Sequence, residues 1–169
     1  MRNLLDSYSR KGMCGFRLDC KTPNASVKIK DIKIAPYTGN VYFRKTFTLD
    51  EKPAVAHATY DSPETYELFI NGKKADQGTD IYPKGSVKTI DLLPYLKKGK
   101  NTIAVRKEFF AWNGGNPEFI FEGIAVGKNG KTTRILCPQG WRSALKYQKD
   151  WMTAGFDDSK WKTPKHFER

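Results

Sequence analysis

The 169-residue sequence predicts an all-β fold, an antiparallel β-sandwich of jelly-roll type with one short helical turn. Three observations carry that expectation. Strand-length segments alternate apolar with polar residues, as in Val41-Tyr42-Phe43-Arg44 and Tyr66-Glu67-Leu68. The pairs Asn71-Gly72 and Asn129-Gly130, which favour the positive φ of tight hairpins, separate such segments. Only residues 91–98 carry helix-capping chemistry, and they are too few to stand alone. Regular short strands joined by Gly and Asn turns make a sandwich or jelly roll.

Taken in order, residues 1–36 read apart from residues 37–169. They hold two short strands, at 15–19 and 27–34, around the turn Lys21-Thr22-Pro23-Asn24, with a bulge expected at Lys30-Asp31. Two strands form no independent core. They either pair with the main sandwich or end a preceding one. Val41, Phe43, Phe47 and Leu49 then alternate with Tyr42, Arg44, Thr46 and Thr48, which predicts a strand with one buried face. Residues 54–60 form a weaker strand, closed by Asp61-Ser62-Pro63-Glu64. Tyr66, Leu68 and Ile70 are the next inward set, and the Asn71-Gly72 turn leads back into Lys73-Lys74-Ala75. Asp91 caps a turn with Pro94 in its first positions and Gly99 at its left-handed end, docked through Leu92, Leu93 and Leu96. Ile103 and Val105 resume the strand period. Phe119, Phe121, Ile124 and Val126 read as one inward set whose phase shifts at Gly123, and residues 134–137 follow the second hairpin turn.

Composition sets the class. An apolar share of 38% with 13% aromatics is globular, and a chain of this length buries a core without a disulfide scaffold. No apolar run approaches the roughly 18 residues of a membrane span, so no membrane partner is expected. Residues 1–10 lack the apolar stretch of a signal peptide. The protein is then either cytosolic or begins inside a longer secreted chain, and the second reading is preferred. Cys14, Cys20 and Cys137 match no zinc spacing, and His57 and His166 are the only histidines, so no Cys/His metal site is expected. The cysteines read as three incidental thiols, with a Cys14–Cys20 bridge as the alternative. The net charge of +12 raises nucleic-acid binding. However, Lys28, Lys30 and Lys33 interleave with apolar residues as on the wet face of a strand, and Lys97, Lys98 and Lys100 sit at a helical end. No nucleic-acid partner is expected, and a basic nucleic-acid-binding module is the weaker alternative.

Hydrolase machinery is not legible. A glycosidase holds two carboxylates roughly 5 to 10 Å apart across a sugar. Asp157 and Asp158 are adjacent and read as turn or capping groups, and His57, between Ala56 and Ala58, reads as a packed histidine. Neither a nucleophile elbow nor a phosphate-binding glycine pattern occurs. Asp61 and Glu64 bracket Pro63, either as a plain solvated turn or facing a ligand or a structural calcium ion; no other cofactor is expected. Asn24-Ala25-Ser26 is a glycosylation sequon, meaningful in a eukaryotic secretory pathway.

Sugar binding wants an exposed ring for the C–H face and amides or carboxylates for the hydroxyl rim. The segment Phe109-Phe110-Ala111-Trp112-Asn113-Gly114-Gly115-Asn116 has that composition, with Trp112, Asn113, Asn116 and Phe110 as candidate contacts; a core or capping Trp112 is the competing reading. The segment 76–84 offers Asp80 and Tyr82, and Trp141, Arg142 and Tyr147 form a weaker third set, Trp141 being more at home in a core.

The order Tyr42-Phe43-Arg44-Lys45-Thr46-Phe47, Tyr66-Glu67-Leu68-Phe69-Ile70-Asn71-Gly72-Lys73, the 91–101 turn, then Trp151 with Phe156-Asp157-Asp158-Ser159-Lys160-Trp161, resembles the galactose-binding-domain-like modules of glycoside hydrolases. The nearest types are the N-terminal module of α-L-rhamnosidases and the sugar-binding domain of β-galactosidases and β-glucuronidases. The resemblance covers about residues 37–162. It implies that Phe43, Leu68, Ile70, Ile103 and Trp161 are core, and that ligand contacts come from loops at one end. It also implies a non-catalytic carbohydrate-binding or accessory module of a larger secreted, periplasmic or cell-surface glycoside hydrolase. The partners would be an oligosaccharide or polysaccharide and an adjacent catalytic domain. A purely structural, bracing sandwich is the alternative.

Overall fold

The computed structural model describes residues 39–62, 64–80, 87–109 and 119–164, the side chains of Glu64, Asp80 and Phe109 excepted. Among these are nine strands: β1 (Gly39–Leu49), β2 (Val55–Asp61), β3 (Glu64–Ile70), β4 (Lys73–Asp80), β5 (Lys88–Asp91), β6 (Gly99–Phe109), β7 (Ile120–Val126), β8 (Thr132–Leu136) and β9 (Trp141–Ala144). They form a five-stranded sheet in the order β4-β3-β6-β1-β9 and a four-stranded sheet in the order β5-β2-β7-β8. Every pairing is antiparallel. This is the predicted all-β sandwich.

Strand alternation builds the core between the sheets. Val41 and Phe43 from β1, Tyr66, Leu68 and Ile70 from β3, and Ile103 and Val105 from β6 face Ala58, Tyr60, Phe121, Ala125 and Ile135 of the other sheet. Trp141 closes this core at β9, its indole N–H donating to Leu136 O at 3.2 Å. Asn71 (φ 51°) and Gly72 (φ 81°) take the left-handed conformation required by the β3–β4 turn.

The predicted capped turn also forms. Leu93 N donates to Asp91 Oδ1 at 2.9 Å, and Leu92 O accepts from both Tyr95 N and Leu96 N. It is a single turn that does not extend into a helix, and Leu92 and Leu96 anchor it in the core. Asn101, fully buried, holds the turn's exit by accepting from Lys97 N at 3.0 Å and donating to Lys97 O and Gly99 O. Asn71 donates to Asn101 Oδ1 at 2.8 Å and to Tyr95 O at 2.9 Å, so the hairpin and the turn share one satisfied polar network.

Three expectations need correction. First, the first half of β1 is buried on both faces: Tyr42 and Arg44, expected on its wet side, are 6% and 0% exposed, while Thr48 is exposed as expected. The cause is the segment 145–164, which crosses the outer face of the five-stranded sheet and packs Trp151 and Trp161 against Tyr42, Phe69 and Ala104. Second, β7 keeps strict alternation through Gly123, burying Phe121, Gly123 and Ala125 and turning Ile124 and Val126 outward. A Cβ at position 123 would lie 3.3 Å from Ala58 Cβ on the paired strand β2 and 3.0 Å from the Phe121 ring, so the glycine serves a tight contact between neighbouring strands of one sheet and no phase shift. Third, His57 is exposed on the outer face of the four-stranded sheet instead of packed.

Candidate functional site

The strands that precede the two predicted binding segments, β4 and β6, finish at the same end of the sandwich. Pairing of Gly39 with Phe109, Glu64 with Asp80, Tyr60 with Lys88 and Asp61 with Ile120 aligns the ends of β2, β4 and β6 with the starts of β3, β5 and β7. Phe110, Trp112, Asn113, Asn116 and Tyr82 lie outside the described residues, as does the side chain of Asp80. Residues 76–80 belong to strand β4 where a loop was expected. Pro63 and the Glu64 side chain also fall outside the description. Among the described residues, no group of three or more His, Cys, Asp or Glu converges in metal-binding fashion.

At this end the described residues build a polar cluster at the edge of the core. Tyr60 from β2 and Tyr66 from β3 face inward, their rings edge-on with centroids 6.1 Å apart. Burying these rings leaves two phenolic hydroxyls in need of partners. Asp76 on β4 supplies both: Oδ2 accepts from Tyr66 OH at 2.5 Å and also from Tyr60 OH. Lys88, where β5 begins, donates to Tyr66 OH at 2.7 Å, and its Nζ lies 3.8 Å from Asp76 Oδ2 and 5.0 Å from the Tyr66 ring centre. Gly78 makes the arrangement possible, because a Cβ there would sit 2.5 Å from the Tyr66 ring.

The electrostatics are those of a fixed hydrogen-bonding post. Burial raises the Asp76 carboxyl, but the two phenols, the Gln77 amide and Lys88 outweigh it and hold the group below its ordinary value. Burial first, and Asp76 second, push Tyr60 and Tyr66 well above the usual phenol range. Acid–base catalysis needs a group that titrates near working pH. These groups are moved away from it, so the cluster suits binding or bracing. Asp76 and Lys88 keep about a third of their side chains exposed, 32% and 34%, so both reach solvent as acceptor and donor.

The third predicted set does not converge. Trp141 is 2% exposed in the core, Arg142 donates to Thr163 Oγ1 at 3.2 Å, and Tyr147 is exposed, edge-on to Tyr42. Asp157 is the expected turn group, accepting from Ser159 N at 3.0 Å. Asp158 does something sequence spacing did not suggest. It pairs at 2.5 Å with Arg44, which also donates to Thr153 O at 2.8 Å and to Phe156 O at 3.1 Å. At the opposite end of the sandwich a small hollow of about 60 Å³ lies beside Glu51, Asn129 and Lys131. That is room for a water or two, not a sugar.

Among known proteins, no family model and no curated sequence matches this chain. Solved structures match by fold. An α-L-rhamnosidase from Dictyoglumus thermophilum superposes with a TM-score of 0.65 at 20% identity, over 73% of this chain and 17% of that one. A Streptomyces avermitilis α-L-rhamnosidase complexed with L-rhamnose gives 0.60 at 23% identity, over 73% and 12% respectively. A lectin from Pleurotus ostreatus in complex with GalNAc gives 0.59 at 23% identity, over 75% and 36%. The sandwich thus shares its fold with part of each of these chains, and it spans about a sixth or less of the rhamnosidases named here.

Proposed function

We propose that this chain is a non-catalytic carbohydrate-binding or accessory module of a larger extracytoplasmic glycoside hydrolase. The observation that carries the reading is the pattern of fold matches. The same sandwich recurs as a small part of glycoside hydrolase chains and as part of a lectin. The candidate contacts in this reading are those the sequence offers: Trp112 as the platform with Phe110, Asn113 and Asn116 in its segment, and Asp80 and Tyr82 in the other. The Tyr60–Tyr66–Asp76–Lys88 cluster supports it by bracing the strand ends from which these segments leave. Titrating the protein with a panel of neutral oligosaccharides tests it. At least one should shift tryptophan emission saturably, and Trp112→Ala should abolish the shift while leaving the melting temperature in place. A folded protein that answers no member of the panel defeats the binding reading.

A bracing role without ligand is the second reading. It is favoured by the outer face of the four-stranded sheet, which no described segment roofs and where Val55 and Ile120 are 52% and 54% exposed. A silent panel would leave this reading standing.

A further inference from the structure

The segment 145–164 leaves β9 after Ala144 and returns along it, Lys162 pairing with Ser143 through N–H···O bonds of 2.7 and 3.0 Å. Between the outgoing and returning limbs lies a groove of about 320 Å³. Ligand sites run from roughly 300 to 1,000 Å³, so this one suits a single sugar residue more than a long chain. Its lining is mostly apolar, with Val41, Leu145 and Trp161 contributing. Lys146, Lys160 and Lys162 line it as well, and none of them forms an ion pair among the described residues, although Asp157 lies within electrostatic reach of Lys160. Trp161 is 5% exposed, and its indole N–H is buried without an acceptor.

An apolar wall and three exposed lysines without an ion pair among the described residues call for an occupant with an apolar ring face and negative charge. We infer that the groove is a second binding site, for an acidic sugar residue bearing a carboxylate or a sulfate. The inference rests on the carbohydrate reading above and assigns this surface a ligand class. The Lys146, Lys160 and Lys162 ammonium groups meet the anion, Gln148 serves a ring hydroxyl, and Leu145 lies against the C–H face. Such a contact weakens with salt, because exposed charges are screened over about 10 Å at 0.1 M.

The test is an NMR titration of the ¹⁵N-labelled full chain with galacturonate oligomers, a sulfated galactan fragment, a neutral galacto-oligosaccharide and a poly-glutamate peptide. Saturable shifts of the Trp161 indole N–H and the Leu145 amide are expected with the galacturonate, the sulfated fragment or both, which also separates carboxylate from sulfate. Lys146→Ala, Lys160→Ala and Lys162→Ala should each weaken binding by roughly two- to fivefold, and Trp112→Ala should leave it unchanged. No shift with either acidic sugar overturns the inference, as does an equal response to the neutral sugar or to poly-glutamate. A neutral-sugar response that depends on Trp112 would survive that failure, so the two readings fail separately.

Discussion

The two sheets of this sandwich have outer faces of opposite fate. On the five-stranded sheet, Tyr42, Arg44 and Phe69 point away from the main core and are still buried, roofed by Trp151, Trp161 and Phe156. On the four-stranded sheet, the corresponding outward residues Val55, His57 and Thr59 of β2 remain in solvent. Both faces belong to antiparallel strands with clear alternation, so strand pattern alone does not set the difference. What sets it is the segment 145–164, about a hundred residues downstream of β1. A fully buried guanidinium is costly unless its hydrogen bonds are met. The two terminal nitrogens of Arg44 meet theirs mostly from that segment, through Thr153 O, Phe156 O and Asp158, with Thr102 Oγ1 at 3.3 Å inside the sheet, while Nε stays unpartnered. Arg44 therefore latches the roof to the sheet.

Breaking the latch should have the largest effect. Asp158→Ala leaves the Arg44 charge buried without its carboxylate and should cost about 3–5 kcal/mol, read as a fall in the denaturant midpoint. Trp151→Ala removes the ring that meets Tyr42 at 5.0 Å and Phe69 at 5.8 Å, with a loss of the same order, about 3–5 kcal/mol. On the exposed face, Val55→Thr, at a residue 52% exposed, should change stability by no more than about 0.5 kcal/mol, as exposed substitutions do. If Val55→Thr cost as much as the roof variants, the contrast between the faces would collapse.

The polar cluster sharpens the comparison through pH. The folded Asp76 carboxyl sits below its ordinary value, so its contribution is fully present above about pH 4 and is lost as the pH falls through the folded value. Asp76→Asn should therefore lower the melting temperature at pH 7, and the gap to the parent should narrow in stronger acid. A gap that widened in acid would contradict the hydrogen-bond geometry. The smallest effect concerns Cys137, whose thiol burial pushes up to about 11. Its alkylation should be slow at pH 8 and accelerate only toward that value.

Much of the fold was legible because it is locally encoded. Tyr66, Leu68 and Ile70 alternate with a period of two, Asn71-Gly72 has the conformational preference of its turn, and Asp91 and Gly99 bracket the capped turn. Features that depend on distant partners were not legible. Arg44 reads as a surface residue until Asp158 is placed beside it, and Gly123 reads as a phase break until Ala58 is seen opposite. Asn101 looks incidental until Asn71 reaches it. Tyr60, Tyr66, Asp76 and Lys88 come from four different strands, and the one local signal was an inward tyrosine whose hydroxyl must find a partner. The predicted contacts Phe110, Trp112, Asn113, Asn116, Asp80 and Tyr82 rest on composition alone.

The central claim, a module that binds a sugar through Trp112, is tested most directly by calorimetric titration of the full chain and its Trp112→Ala variant with a neutral oligosaccharide panel. The account predicts measurable heat with at least one sugar, lost in Trp112→Ala while the unfolding transition is unchanged. Heat that persists undiminished in Trp112→Ala, or no heat from any sugar with the protein folded, would contradict it.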